Sequence, residues 1–240
     1  MIVGLLQVFC NSCYNETGEI MKQGIFTIES NAALTDSVYR MVLSGDTSAI
    51  TAPGQFVNIQ LSGKFLRRPI SVCDYDEKTL TIVYKVVGKG TAQMAAMQAG
   101  ETLDILTGLG NGYDLSLTGD TPVLLGGGVG VPPMYNLAKK LLAQGKKVTV
   151  ILGFNTKSEI FYEQEFKNLG CTVTVTTVDG SYGKKGFVTD ALPEEYTHFC
   201  CCGPEPMLKA VYRAANTSGQ MSFEERMGCG FGACMGCSCK

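Results

Sequence analysis

The feature that most constrains this chain is a change of rhythm at Thr121. Over residues 25–118, short β-rich runs such as SVYRMVL, QFVNIQL, LTIVYKVV and ETLDIL are divided by the turn-forming APG, SGK, DEK and LGNG. That spacing predicts a small antiparallel barrel or sandwich. Beyond Thr121 the runs PVLLGGG, KKVTVILGF, CTVTVTTV and THFCCCG read as buried strands. They alternate with the helix-like MYNLAKKLLAQ, EIFYEQEFKNL and PEPMLKAVYRAAN. Alternating strand and helix implies a parallel sheet with crossover helices. The expected fold class is therefore β-barrel plus α/β, with domains at 21–118 and 119–216. Residues 217–240, rich in glycine and cysteine, have little room for a core of their own. Residues 1–20 read as an extension, from an upstream start or added, because MKQGIFTIES opens cleanly into a strand at Met21; a real helical or strand-like arm is the alternative. If they are such an extension, deleting residues 2–20 leaves cofactor content unchanged.

The cysteines limit the class of protein. There are 11, an odd number, and Cys229, Cys234, Cys237 and Cys239 crowd into the last 12 residues. A disulfide scaffold would be shorter and evenly paired. MIVGLLQVFC has neither a basic n-region nor a small-residue cleavage site, so no signal peptide is expected. No apolar run approaches the roughly 20 residues of a membrane span. A cytoplasmic chain with reduced thiols and a cysteine-held metal is the expectation. A net charge of −2 gives no electrostatic case for nucleic acid or an anionic membrane.

Four segments carry chemistry. LLGGGVGVPP (124–133) follows a strand and opens a helix, with Pro132 in the first turn, where a missing N–H costs nothing. Gly126, Gly127, Gly128 and Gly130 would let a pyrophosphate approach the backbone and the helix N-terminus. The spacing departs from G-x-G-x-x-G, since Val131 stands where the last glycine would be. A tight turn without ligand is the plainer reading. HFCCCGPEPM (198–207) puts Cys202, Gly203 and Pro204 at a strand's carboxyl end, where ligands bind in open parallel sheets. A thiol there can pack beside a nicotinamide ring, whereas Cys200 and Cys201 suit a core. RRPIS (67–71) and VVGKGT (86–91) offer an arginine for a phosphate, Ser71 for a flavin or phosphate, and Gly90 and Thr91 for a further contact. Taken alone, that segment reads more readily as two exposed arginines at a strand end.

CGFGACMGC (229–237) is the most specific segment, a C-x4-C-x2-C run of the plant-type [2Fe–2S] kind, which needs a fourth cysteine further on. Zinc is the rival metal, although it prefers paired C-x2-C knuckles. Cys239 lies too close to Cys237 to be a separate corner, and truncation of the chain is the expected reason for the missing ligand. His198, the only histidine, sits beside Phe199 and reads as a structural residue. Acid–base chemistry on an organic substrate thus has no obvious home here.

FLRRPISV, GGGVGVPPM, CCGPEPML and ERMGCGFGACMGCSCK, in this order, resemble the ferredoxin–NADP reductase superfamily from Met21 to Lys240. Within it the chain is most similar to electron-transfer subunits of NAD-dependent dihydroorotate dehydrogenase. The resemblance implies a flavin-binding barrel at 21–118, an NAD-binding domain at 119–216 and a [2Fe–2S] segment at 217–240. It implies that Arg68, Pro69, Ile70 and Ser71 bind FAD, with Val83, Tyr84, Lys85, Gly90 and Thr91 completing the site. It makes Cys229, Cys234 and Cys237 the first three cluster ligands. It also implies a partner that carries FMN and oxidises dihydroorotate, assembled as a heterotetramer for pyrimidine synthesis. NAD accepts a hydride while a [2Fe–2S] cluster passes single electrons, so the expected order is partner FMN, cluster, FAD, NAD⁺. A ferredoxin–NAD(P)H reductase subunit of a bifurcating or hydrogenase complex is the alternative, and a zinc-binding module on a decayed reductase fold is the non-enzymatic one. GFNTKS shows no acid for a ribose 2′-OH, and Lys157 could meet a 2′-phosphate, so NAD rests on the resemblance alone.

Overall fold

The computed structural model describes residues 6–9 and 21–223. They form two compact units, one over 21–112 and the other over 113–223 with strand 6–9. In the first, β2 (Lys22–Ala33), β3 (Val38–Ser44), β4 (Phe56–Gln60), β5 (Arg68–Tyr75), β6 (Thr79–Lys85) and β7 (Thr102–Leu109) close an antiparallel barrel in the order β2-β3-β6-β5-β4-β7. Period-two patterning explains the closure. Met41 and Leu43, Val57 and Ile59, Leu80 and Ile82, and Leu103 and Ile105 all join one interior cluster. Each such side chain contributes on the order of 2 kcal/mol when buried.

Helix α1 (Lys89–Ala96) sits over this interior with Met94 fully buried in the same cluster. Asn31 ties it down, its amide donating to the carbonyls of Met94 (2.9 Å) and Met97 (3.0 Å). The Tyr84 hydroxyl donates in turn to Asn31 Oδ1 at 3.0 Å. Burial pushes the Tyr84 phenol up to about 12.

The second unit is a seven-stranded sheet in the order β1-β13-β12-β8-β9-β10-β11. Its strands are β1 (Leu6–Phe9), β8 (Val123–Gly127), β9 (Thr149–Phe154), β10 (Thr172–Thr177), β11 (Lys184–Lys185), β12 (Phe199–Cys202) and β13 (Gly219–Ser222). Every pairing is parallel. Helices α2 (Val131–Ala143), α3 (Glu163–Leu169) and α4 (Glu205–Ala214) cover it. Alternation sorts the faces. Val123 and Leu125 share a core cluster with Leu208 and Val211 of α4, whereas Gly126 turns toward Val131 of α2.

Three details depart from the sequence expectation. The second unit begins at residue 113 rather than near 119, because Tyr113 is buried and its hydroxyl donates to the Cys201 carbonyl at 3.0 Å. Gly219–Ser222, expected to open a coreless segment, is a sheet strand with Met221 in the core. Gly219 permits this, since a Cβ there would lie 2.2 Å from the Phe199 ring. Helix α3 starts at Glu163 instead of Glu159, because Phe161 and Tyr162 are buried in an aromatic cluster with Phe154 and Tyr135. Tyr162 reaches it in a left-handed conformation, φ 67°, that no helix residue adopts.

Candidate functional site

Each unit carries its own site. On the barrel, Arg67 and Arg68 are adjacent yet serve different ends. Arg67 forms an ion pair with Asp104 at 2.9 Å and donates to the Asn58 carbonyl at 3.2 Å, clamping β4 to β7. Burial opposes ionisation of Asp104, but hydrogen bonds from Arg67 and Gln23 hold its carboxyl below the usual range. Arg68 donates from Nη1 to the Leu66 carbonyl at 2.6 Å. Its Nε edge lies over Gly90, where an added Cβ would stand 2.4 Å away. Thr91 Oγ1 accepts from the Val87 N–H at 2.9 Å and the Gly88 N–H at 3.3 Å, shaping the turn into α1. A guanidinium laid against the first turn of a helix makes a cationic cradle, and the cradle exists only because residue 90 has no side chain.

Ile70 and Tyr84 turn inward to the barrel interior. The register that pairs Val72 with Ile82 sets Ser71 beside Val83 on the outer wall. Lys85 is exposed at the end of the same strand, and Pro69 is exposed on β5. Toward a molecule on the outer wall, Ile70 and Tyr84 therefore offer only main-chain groups.

On the sheet, β8 lies between β9 and β12, so the chain departs from β8 in both directions. Such a switch point is where ligands bind in open parallel sheets. Gly126 and Cys202 are paired across it. A Cβ on Gly130 would lie 2.2 Å from the Cys202 carbonyl oxygen, and one on Gly127 would lie 2.3 Å from Met207 Sδ. Gly203 meets Gly127 from the other loop, its Cβ position 3.3 Å from the Gly127 Cα. These glycines are consumed by packing of the two loops. Gly128 differs, with φ +52° and open space where its Cβ would be. Pro132 occupies the first turn of α2, and Pro204 caps α4. Cys202 is half-buried at the strand end. Cys200 and Cys201 are fully buried, and desolvation holds both thiols well above the ordinary range, so neither is a nucleophile.

Several polar residues at this rim escaped the sequence reading. Glu159 accepts from the Asn155 N–H (3.1 Å) and side-chain amide (2.9 Å). The Lys157 N–H donates to Ser181 Oγ at 2.8 Å, and Ser181 Oγ to Asp179 at 2.7 Å. Lys157 Nζ lies 5.9 Å from the Tyr182 ring centre. The one legible signal was the four-residue spacing of Asn155 and Glu159; Asp179 and Ser181 come from a separate loop. His198 belongs to the fold. It is buried, shares hydrogen bonds with Ser218 (3.0 Å) and Gln220 (3.2 Å), and burial lowers its pKa.

Cys229, Cys234 and Cys237 lie outside the described residues. Among the described residues no group of three metal-ligating side chains comes together.

Residues 124–213 match the oxidoreductase NAD-binding domain family. The chain is 46% identical over 229 residues to the electron transfer subunit of dihydroorotate dehydrogenase B (NAD(+)) from Fusobacterium nucleatum, covering 89% of this chain and 88% of that one. It belongs to that family of electron transfer subunits. The Geobacillus sp. member is 43% identical, covering 92% of this chain and 90% of its own. Among solved structures, an NADH-dependent reduced ferredoxin-NADP oxidoreductase matches with TM-score 0.79 and 32% identity, covering 88% of this chain and 80% of that one. A ferredoxin NADP+ reductase from Neisseria gonorrhoeae shares the fold at TM-score 0.70 and 18% identity, covering 85% of this chain and 99% of its own. As a family member the chain is an oxidoreductase subunit that works beside a catalytic partner.

Proposed function

We infer that this chain passes electrons taken from dihydroorotate in a partner subunit to NAD⁺, using one site on each unit. The observation that carries the reading is the Arg68–Gly90 cradle, which fits the diphosphate of FAD: a cation seated against a residue without a side chain at a helix N-terminus. Arg68 and the turn held by Thr91 grip the phosphates. Ser71, Val83 and Lys85, with main-chain groups of Pro69, Ile70 and Tyr84, supply the outer wall. On the second unit the Gly128 turn and the positive end of the α2 dipole face the NAD pyrophosphate, with Gly126, Gly127, Gly130 and Pro132 shaping the approach. Cys202, Gly203 and Pro204 border the nicotinamide. Cys229, Cys234 and Cys237 supply three thiolates of the plant-type [2Fe–2S] pattern.

Bound together, these groups supply the conversion between paired and single electrons, in the order partner FMN, [2Fe–2S], FAD, NAD⁺. With its one histidine buried in the fold, the chain leaves proton abstraction from dihydroorotate to the partner. We place the assembly, a heterotetramer serving pyrimidine synthesis, in the cytoplasm on the strength of its cysteine usage. No helix among the described residues is long and apolar enough to cross a membrane. The 32% identity to a ferredoxin-linked oxidoreductase supports exchange with a ferredoxin-type carrier as a second reading.

The test is the visible spectrum and iron content of the chain co-expressed with its dihydroorotate-oxidising partner. Flavin absorbance and iron in the complex are the expected result, together with NADH formation from dihydroorotate that neither subunit supports alone. Dihydroorotate oxidation by this chain unaided, or a colourless complex, would overturn the reading.

A further inference from the structure

We propose that Tyr113 is a positioning residue for hydride transfer: it fixes Cys202, and through it the nicotinamide ring, an inference that rests on the NAD reading of that rim. Tyr113 lies in the connector ahead of β8 and is buried, only 4% exposed. Its hydroxyl donates to the Cys201 carbonyl at 3.0 Å and is hydrogen-bonded to Ser222 as well. Cys202 and Ser222 are paired across the sheet as the last residues of β12 and β13. One phenol therefore ties together the ends of two neighbouring strands. The Cys201 carbonyl belongs to the same planar peptide unit as the Cys202 nitrogen, so a bond to one fixes the other.

The tyrosine is itself held. Gln220, fully buried on β13, accepts from the Asp114 N–H at 2.8 Å and donates to the Asp114 carbonyl at 2.9 Å. That two-way grip on the next residue leaves the Tyr113 main chain little freedom. Burial pushes its phenol well above the ordinary 10.0, so the hydroxyl keeps its proton and remains a donor. Of the three cysteines that bear on the phenol, Cys202 does so most strongly. A tyrosine that merely filled a core could satisfy its hydroxyl on any carbonyl. This one bonds the peptide that carries the half-buried thiol at the rim. Hydride transfer is sensitive to such placement, since a shift of ~1 Å can lower a rate on the order of 100-fold.

The experiment has two arms, both on the full-length chain as purified. In the first, Cys202 is alkylated with iodoacetamide and followed by peptide mass spectrometry, with buried Cys171 as the control. Tyr113→Phe is expected to speed labelling of Cys202 roughly 5-fold, the effect of one lost hydrogen bond, and to leave Cys171 unchanged. In the second, NADH reduces the bound flavin in a single turnover. Tyr113→Phe should lower the saturating rate about 10-fold with the apparent Kd for NADH unchanged, and should have no further effect in a Cys202→Ala background. Ser222→Ala, a milder loss at the same hydroxyl, should move both readouts in the same direction by about 2-fold. Equal gains in labelling at Cys202 and Cys171, or equal slowing with and without the Cys202 thiol, would make Tyr113 an ordinary core residue and overturn the proposal. So would variants that match wild type in both arms. If NADH fails to reduce the flavin of the unaltered chain, the NAD reading itself falls and takes this inference with it, a failure told apart from the others.

Discussion

The barrel and the sheet both use glycine where a ligand is expected, for opposite reasons. At Gly90 the missing side chain makes room for a cation, the guanidinium of Arg68. At Gly130 and Gly127 it lets protein meet protein, the Cys202 carbonyl in one case and Met207 in the other. Only Gly128, left-handed and facing open space, has no packing partner to account for it. A glycine-rich loop is therefore not a uniform phosphate grip. Most of its glycines hold two loops together, and one is left for the ligand.

The comparison is broken most severely at Gly130. Gly130→Ala places a Cβ 2.2 Å from the Cys202 carbonyl oxygen, and neither backbone can retreat without parting β8 from β12. A loss of about 3 kcal/mol in unfolding free energy is expected, measured by denaturant titration. A stability equal to wild type would show that the loops yield easily and that packing does not explain the glycine.

Arg68→Gln sharpens the other half. Its fold contacts are to neighbouring carbonyls, so stability should hold while FAD affinity falls roughly 10- to 100-fold, read by flavin titration. Arg67→Ala should do the reverse. It breaks a half-buried pair with Asp104, costing about 1–2 kcal/mol of stability with flavin retained. Matching losses from the two substitutions would erase the distinction between neighbouring arginines.

A smaller effect is expected at Tyr84, which braces α1 through Asn31. Tyr84→Phe should cost about 1 kcal/mol. The folded phenol titrates near 12 against an ordinary 10.0, so the fold favours the protonated form. Its contribution is complete below pH 10 and fades as pH rises toward 12. Alkaline denaturation of wild type and Tyr84→Phe should therefore converge across that window. Least in size, Lys157→Ala should reduce turnover with NADPH a few-fold more than turnover with NADH, since loss of a single exposed cation is worth ~1 kcal/mol. An unchanged ratio would remove Lys157 from the ribose end of the site.

The barrel and the parallel sheet were legible because period-two alternation and strand–helix alternation are dictated by which faces are buried. Where the reading went astray, the cause was long-range packing. Nothing local marks Gly219–Ser222 as a strand; it is one because Phe199, twenty residues earlier, needs a glycine against its ring. Nothing local shortens α3 either, until Tyr135 and Phe154 draw Phe161 and Tyr162 into a cluster. The same limit applies at the sites. RRPIS announces two cations, but their division into clamp and cradle depends on Asp104 and Gly90, far away in sequence. Glu159, Asp179 and Ser181 carry no motif, and only the folded loops join Asp179 and Ser181 to Lys157.

Parallel strand order has a consequence for biosynthesis. The rim of the sheet is assembled from Gly126–Gly130, the loop after β9 and Cys202–Pro204, which leave the ribosome far apart in time. Until β12 slots in beside β8, the first loop has nothing to close against. Nucleotide capture thus reports that synthesis has passed β12, and a nascent chain halted before residue 199 should have no such capacity.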